Sequence, residues 1–377
     1  MNEKVNVLKT RKIEFDYLRI ISMFLVVVCH SLIVVYPYYV GVGSKAQNFD
    51  TLNNFDKVFS SIMAAGGRLG VPFFFLLSGY FLISKFQLTE TGISTFYRKH
   101  FLRLLLTFEL WMILYEFFVR GYLRIRAGLL QIIMELLFVA KEPNYSNQLG
   151  SAMIQMWFIP VILGIYLFMP LLVTLVKNIP SRFKTWLVLA AVGFDFVIPT
   201  ANALFQFWGK NVTVNSNIDY AFLGSSYGVY VLIGGLIQEG WLSKFSNWLL
   251  WFSAITGGVL SVLMQLMGNI LMGHYYFIWY DNLFILITTV AIFELINRIK
   301  GKKTKTSKAI VLLSGFSLGI YLIHYPIQLL IRKYLFLTNV NMINFAANLL
   351  ATYLLSLIVV YLLSKIKFFR MYLFYEK

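Results

Sequence analysis

Cysteine is almost missing from this chain. Its 377 residues contain one, Cys29, which excludes an internal disulfide and any cysteine-built zinc or iron–sulfur centre. Histidine is scarce as well. The four, at positions 30, 100, 274 and 324, are too dispersed for any pair to show metal-ligand spacing on one helix, so no metal is expected. Charge is thin, at 13% of residues against roughly 25% in an ordinary soluble domain. Polar connections extend no further than about 20 residues, which leaves no room for a soluble domain. A soluble enzyme, a collagen-like chain and a nucleic-acid module are all excluded.

What the chain does have is apolar surface. Hydrophobic residues make up 59% of it, with 35 Phe, 23 Tyr and 8 Trp, and its mean hydropathy is +0.72. That composition fits an all-α integral membrane protein, a bundle of bilayer-spanning helices with aromatic belts. Spans of roughly 20 apolar residues fall near 16–36, 64–84, 103–119, 157–176, 185–204, 221–240, 247–272, 278–297, 310–331 and 343–364. The reading is about ten transmembrane helices in a single domain over 1–377. Residues 1–15 form an N-terminal segment, 16–364 the bundle and 365–377 a tail. No small-residue cleavage site follows the first apolar run, so it reads as an uncleaved span. Leu129 to Ala140 is apolar but too short to cross and reads as an interfacial or re-entrant helix. Neither an internal repeat nor an inverted pair of broken helices is visible, the usual pointer to a secondary transporter.

The net charge of +17 comes from cations interleaved between apolar runs, and these serve as topology signals rather than as a nucleic-acid face. With both termini cytoplasmic, about two thirds of the 33 Lys and Arg fall on the inner side, as the positive-inside rule requires. The densest run, Arg298 to Lys308, then lies in a cytoplasmic loop.

Ionisable groups inside spans cost on the order of 2.5–3.5 kcal/mol each unless paired or hydrated, so they mark candidate chemistry. The first span carries Asp16, Arg19 and His30. Arg19 and His30 are eleven residues apart, which returns them to one helix face with an axial separation of about 16 Å. Arg19 is then at the cytoplasmic boundary and His30 near mid-membrane. Spacing alone leaves His30 either a general base or a hydrogen-bonding strut between helices.

FDYLRIISMFLVVVCH, from Phe15 to His30, resembles the first-helix signature of the acyltransferase-3 family of membrane proteins, in which an arginine precedes a histidine by eleven positions. GRLGVPFFFLLSGYFL (Gly67 to Leu82), MWFIPVILGIYLFMPLL (Met156 to Leu172) and GIYLIHYPI (Gly319 to Ile327) are similar to three further signatures of that family, in the same order. Two positions depart from it. In RKHFLR, His100 stands in place of the first of two arginines, beside Arg98, Lys99 and Arg103, and Gln155 with Met156 precedes Trp157 where the family often has a histidine.

The resemblance implies acyl transfer from a cytoplasmic acyl-CoA, acetyl-CoA first among them, to a hydroxyl of a cell-surface or exported glycan. It implies His30 as the catalytic residue and Arg19, Arg98, Lys99, His100 and Arg103 as the cations for the donor's phosphates. Asp16, Arg68, Gln155, Trp157, Tyr321 and His324 are the candidates for the substrate cavity. A neutral imidazole is a suitable general base for a hydroxyl, worth typically 10²–10⁴ in rate. The expected partners are the lipid bilayer, a glycan acceptor and proteins of glycan synthesis or export, with no nucleic acid. The expected location is the cell membrane, as a multi-pass protein of a bacterial plasma membrane.

Other features are weaker. Cys29 points about 100° away from His30 and reads as a small hydrophobe. Gly224, Ser226 and Gly228 match G-x-S-x-G, but without the strand–turn–helix context of a nucleophile elbow. His274 reads as solvated, and Arg120, Arg124 and Arg126 as interfacial cations. Glu109, Glu116 and Asp195 need partners, for which Arg68 is the nearest candidate. Two alternatives to the acyltransferase stay open: an exporter or flippase of the same glycan, and a structural partner in a glycan-synthesis complex.

Overall fold

The computed structural model describes residues 11–36, 49–118, 128–138, 154–210, 212–214, 225–272, 276–299, 307–335 and 340–374. Every regular element among them is helical. In chain order the α-helices are α1 (Ile13–Val35), α2 (Asn54–Gly67), α3 (Gly70–Ser78), α4 (Glu90–Phe96), α5 (Leu102–Phe118), α6 (Leu129–Leu136), α7 (Phe158–Leu167) and α8 (Met169–Asn178). They continue as α9 (Ser181–Val192), α10 (Ile198–Phe207), α11 (Ser225–Gln238), α12 (Asn247–Leu271), α13 (Leu283–Arg298), α14 (Ser307–Gly315), α15 (Ser317–Tyr334) and α16 (Met342–Ser364). Short π-helical turns extend α3, α4 and α9, and another at Phe369–Leu373 follows α16.

Five stretches are long and apolar enough to cross a bilayer: Ile13–Val35, Asn54–Ile83, Ser181–Phe207, Asn247–Leu271 and Met342–Ser364. Two bent pairs, Gln155–Leu167 with Met169–Asn178 and Lys308–Gly315 with Ser317–Tyr334, raise the number to seven if each counts as one span. The other three expected positions hold helices of 17, 14 and 16 described residues, α5, α11 and α13.

The spans at 157–176 and 310–331, expected to be continuous, are broken by 58° and 53°. The first break has a clear cause. Phe168 leaves the helical region (φ −97°, ψ 12°), and Pro170, which lacks an N–H, occupies the first turn of α8. At the second break Phe316 (ψ −6°) joins α14 to α15 immediately after Gly315. The span expected at 278–297 begins only at Leu283, because the Asn282 side chain accepts from the amides of Phe284 and Ile285 and caps α13. Ile278 to Asp281 therefore belong to the preceding loop. In the same way Asn53 caps α2 through the Asp56 amide, which starts that span ten residues before the expected position 64.

α1 is the centre of the bundle. It packs on α2, α3, α14, α15 and α16, and Phe15, Met23, Val27 and Leu32 on it are fully buried. Small residues permit the close crossings, as expected where lipid supplies no hydrophobic drive between helices. A Cβ on Gly67 would lie 3.0 Å from the Cys29 nitrogen, and one on Gly70 would lie 2.6 Å from the Ser22 carbonyl. Likewise Gly79 abuts the Val231 carbonyl, and Gly234 abuts the Leu76 carbonyl. The first of these contacts sets the site, because it presses the end of α2, midway along the α2–α3 span, against the backbone beside His30.

Candidate active site

Three hydrogen bonds fix how α1 lies on α14 and α15. Ser314 donates to Asp16 at 2.8 Å, His324 meets His30 at 3.2 Å, and Gln328 donates to Ser31 at 2.8 Å. Position numbers rise together on both partners, so the segments run parallel. One end holds Asp16, the middle holds the two histidines and the far end holds Gln328.

The histidine pair dictates its own tautomers. His324 Nδ1 lies 2.7 Å from the Tyr321 carbonyl and 3.1 Å from that of Ile320. Carbonyls only accept, so in the neutral ring Nδ1 carries the proton and Nε2 is a bare acceptor. That Nε2 faces His30 Nδ1, which is also 2.9 Å from the Val26 carbonyl. Both neighbours of His30 Nδ1 accept, so its proton stays there and His30 Nε2 keeps its lone pair. No described residue hydrogen-bonds to that Nε2. His324 is completely enclosed, whereas His30 keeps 8% of its surface exposed. The arrangement has the logic of a base oriented by a second group, here an imidazole in place of a carboxylate.

Tyr321 lies one turn before His324 on the same face of α15. Its hydroxyl donates to the Gln155 carbonyl, while the Gln155 amide donates to the Tyr115 hydroxyl. Tyr115 passes its own proton to the Leu322 carbonyl at 2.7 Å. Gln155, Tyr115 and Tyr321 thus clamp the start of α7 against α15 and α5. Arg68, at the junction of α2 and α3, is buried against the loop that precedes α13. Its guanidinium carbon lies 3.7, 4.3 and 4.9 Å from the ring centres of Phe277, Trp279 and Tyr280, and Nη1 donates to the Tyr280 hydroxyl at 2.9 Å. Trp157 stacks on Tyr280 at 5.4 Å and closes this aromatic group. Arg68 follows Gly67, which packs against the Cys29 backbone next to His30.

At the Asp16 end a cavity of about 870 Å³ opens, lined by Arg11, Lys12, Arg19, Lys85 and His100 together with Tyr80, Phe81, Phe86 and Phe96. No carboxylate among the described residues lines it. Asp16 lies just behind, fully buried, and takes Arg11 through two bonds of 2.7 and 2.6 Å and Arg19 through one of 3.0 Å. These bonds raise the pKa of Arg11 above its ordinary value. Lys12 is fixed by the Tyr80 hydroxyl at 2.6 Å and by Asn297 at 3.1 Å. His100 stacks on Phe96. A cation-lined, aromatic-walled cavity without acids suits a phosphorylated, ring-bearing ligand.

The sequence model of the Acyl_transf_3 family, described as an acyltransferase domain, matches residues 12–365. This chain belongs to the acyltransferase-3 family. It is thus a membrane acyltransferase in the general sense, and its helices fit a multi-pass membrane protein. No curated protein and no solved structure matches it.

The structure of this acyltransferase gathers some of the residues singled out in the sequence and separates others. His30 and His324 come together. Arg19 and His100 share the cavity, but Arg98 and Lys99 are exposed outside its lining. Arg103 points elsewhere and donates to the Met371 carbonyl, where it anchors the C-terminal π-turn. Asp16 orients the cavity's cations and does not line it. Ser226 lies within helix α11 and not on a strand-to-helix turn. Glu109 and Glu116 are both on α5, and Asp195 is in the π-helical turn after α9. His274, Arg120, Arg124, Arg126 and Gly224 lie outside the described residues. Arg11, Lys12 and Lys85 were not foreseen. They come from two separate segments, and only the observation that Lys12 and Lys85 flank apolar spans could have marked them.

Proposed function

We propose that this protein transfers an acyl group, acetyl in the simplest case, from cytoplasmic acyl-CoA to a hydroxyl of a cell-surface or exported glycan, with His30 as general base. The observation that carries the reading is the bare Nε2 of His30, held by His324 and Val26, on the same helix that presents Arg19 to the cation-lined cavity. The cavity takes the nucleotide phosphates of CoA against Arg11, Lys12, Arg19 and Lys85. His30 lies about 16 Å further along α1, a distance that an extended pantetheine arm spans. The bundle in this reading has ten spans with both termini cytoplasmic, in the cell membrane.

In the reaction, His30 Nε2 takes the proton of the acceptor hydroxyl as its oxygen attacks the thioester carbonyl carbon. Nδ1 keeps donating to His324 and Val26, so the ring does not turn as it becomes charged. The charge of Arg68 favours the tetrahedral oxyanion. On collapse the C–S bond breaks, and the imidazolium returns its proton to the thiolate, giving the ester and free CoA. The test is incubation of the purified protein, in lipid nanodiscs, with labelled acetyl-CoA and surface glycan. Label should appear in the glycan as alkali-labile ester. Transport of the glycan with no label transferred would refute the reading in favour of an exporter.

A further inference from the structure

Beyond the histidine pair, on the side away from the cavity, lies a second polar group enclosed by α1, α15 and α16. Gln328 is one turn past His324 on α15, and Ser31 follows His30 on α1. Gln328 Nε2 donates to Ser31 Oγ at 2.8 Å and to Asn348 Oδ1 at 2.9 Å. Thr352 is one turn past Asn348 on the same face of α16, and all four residues are fully buried. Among the described residues, three of their polar atoms lack a partner: Gln328 Oε1, Asn348 Nδ2 and Thr352 Oγ1. Turning both carboxamides over does not remove the problem, because one donor and one acceptor remain unmet in either orientation.

Each unmet group inside a membrane protein carries a desolvation penalty with no water from the bilayer to relieve it. The unmet set is mixed, with an acceptor, a donor and a hydroxyl that can be either. A thioester or an acyl chain offers no such combination. A ligand with neighbouring hydroxyls does, because each hydroxyl both donates and accepts.

We propose that Gln328, Asn348 and Thr352 form the subsite for the polyhydroxyl acceptor, holding one sugar hydroxyl while its neighbour meets His30 Nε2. This inference rests on the acyltransferase reading above. It adds where the acceptor is held and makes the two substrates approach the histidines from opposite ends of α1. Thr352 is a specificity residue in this arrangement and Asn348 a binding residue, while neither contacts the donor.

Thr352→Val is the sharpest probe, because among the described residues the Thr352 hydroxyl has no hydrogen-bond partner. A purely structural reading gives the variant unchanged or improved thermal stability and unchanged catalysis. Membranes carrying the wild type, Thr352→Val or Asn348→Leu are given labelled acetyl-CoA, and label is followed in the polysaccharide fraction and in released acetate. The subsite predicts that polysaccharide labelling falls roughly tenfold for each lost hydrogen bond, with donor KM unchanged. The same Thr352→Val protein should melt no lower than the wild type. Polysaccharide labelling within twofold of the wild type in both variants would mean that the group holds a buried water only, and would overturn the subsite while leaving the acyltransferase intact. A wild type that releases acetate in a His30-dependent way but never labels polysaccharide would overturn the subsite and the glycan acceptor. A wild type that shows neither signal would overturn the enzyme reading and the subsite with it.

Discussion

Replacing Asp16 by Asn tests how the donor cavity is built. The carboxylate is fully buried and receives Arg11, Arg19 and Ser314. Breaking a buried ion pair from one side costs about 3–5 kcal/mol. Here the two arginine side chains are 34% and 31% exposed, so water screens part of the loss and about 2 kcal/mol is the appropriate scale. Asn retains one acceptor for Ser314 or for one guanidinium but cannot hold Arg11 through two oxygens. Both cations should then leave the positions from which they face the cavity. At 1.4 kcal/mol per factor of ten, the Kd for CoA should rise by up to roughly thirtyfold. Calorimetric titration of CoA into the purified wild type and variant reads this directly, with kcat at saturating donor little changed. Equal affinity in both would show that Asp16 secures α1 to α14 and has no part in donor binding.

Two further predictions separate roles that the sequence alone confounded. Lys85→Ala should weaken CoA binding several-fold and lower its salt dependence, whereas Arg103→Ala should leave CoA affinity within twofold, since Arg103 is spent on the Met371 carbonyl. Equal losses in the two would return the sequence-based phosphate cluster. His324→Leu removes one of the two acceptors for His30 Nδ1 and should lower kcat by roughly 10-fold to 100-fold at unchanged donor KM, and His324→Gln, which can still accept, should recover much of that loss. A Leu variant with wild-type kcat would make His324 a packing residue.

The helical class and the shared face of Arg19 and His30 were legible because both rest on local pattern: long apolar runs, and an eleven-residue interval that any helix turns into one face. Arg19 and His30 were placed on that basis, and the structure keeps the first at the cavity and the second at the bundle centre. The broken spans were written in the sequence as Pro170 and Gly315, but a run that stays apolar through a break hides it from a hydropathy reading. The cavity was less legible. Its other cations, Arg11, Lys12 and Lys85, come from the segment before α1 and from the turn after α3, and nothing local says that Lys85 shares a cavity with Arg11 while Arg103 turns to residue 371. The group around Gln328 escaped for a similar reason. Its i, i+4 relation to His324 is visible, but its partners on α1 and α16 lie 297 and 20 residues away.

The central claim is that His30 Nε2 removes the acceptor's proton, and His30→Gln tests it most directly. Gln can donate to the Val26 carbonyl and to His324 as the imidazole does, so the helix contacts survive, but it has no basic nitrogen. With purified protein, acetyl-CoA and glycan, ester formation should fall by roughly 10²–10⁴ while CoA affinity and thermal stability match the wild type. Near-normal ester formation by the Gln variant would contradict the account and leave His30 a strut between α1 and α15.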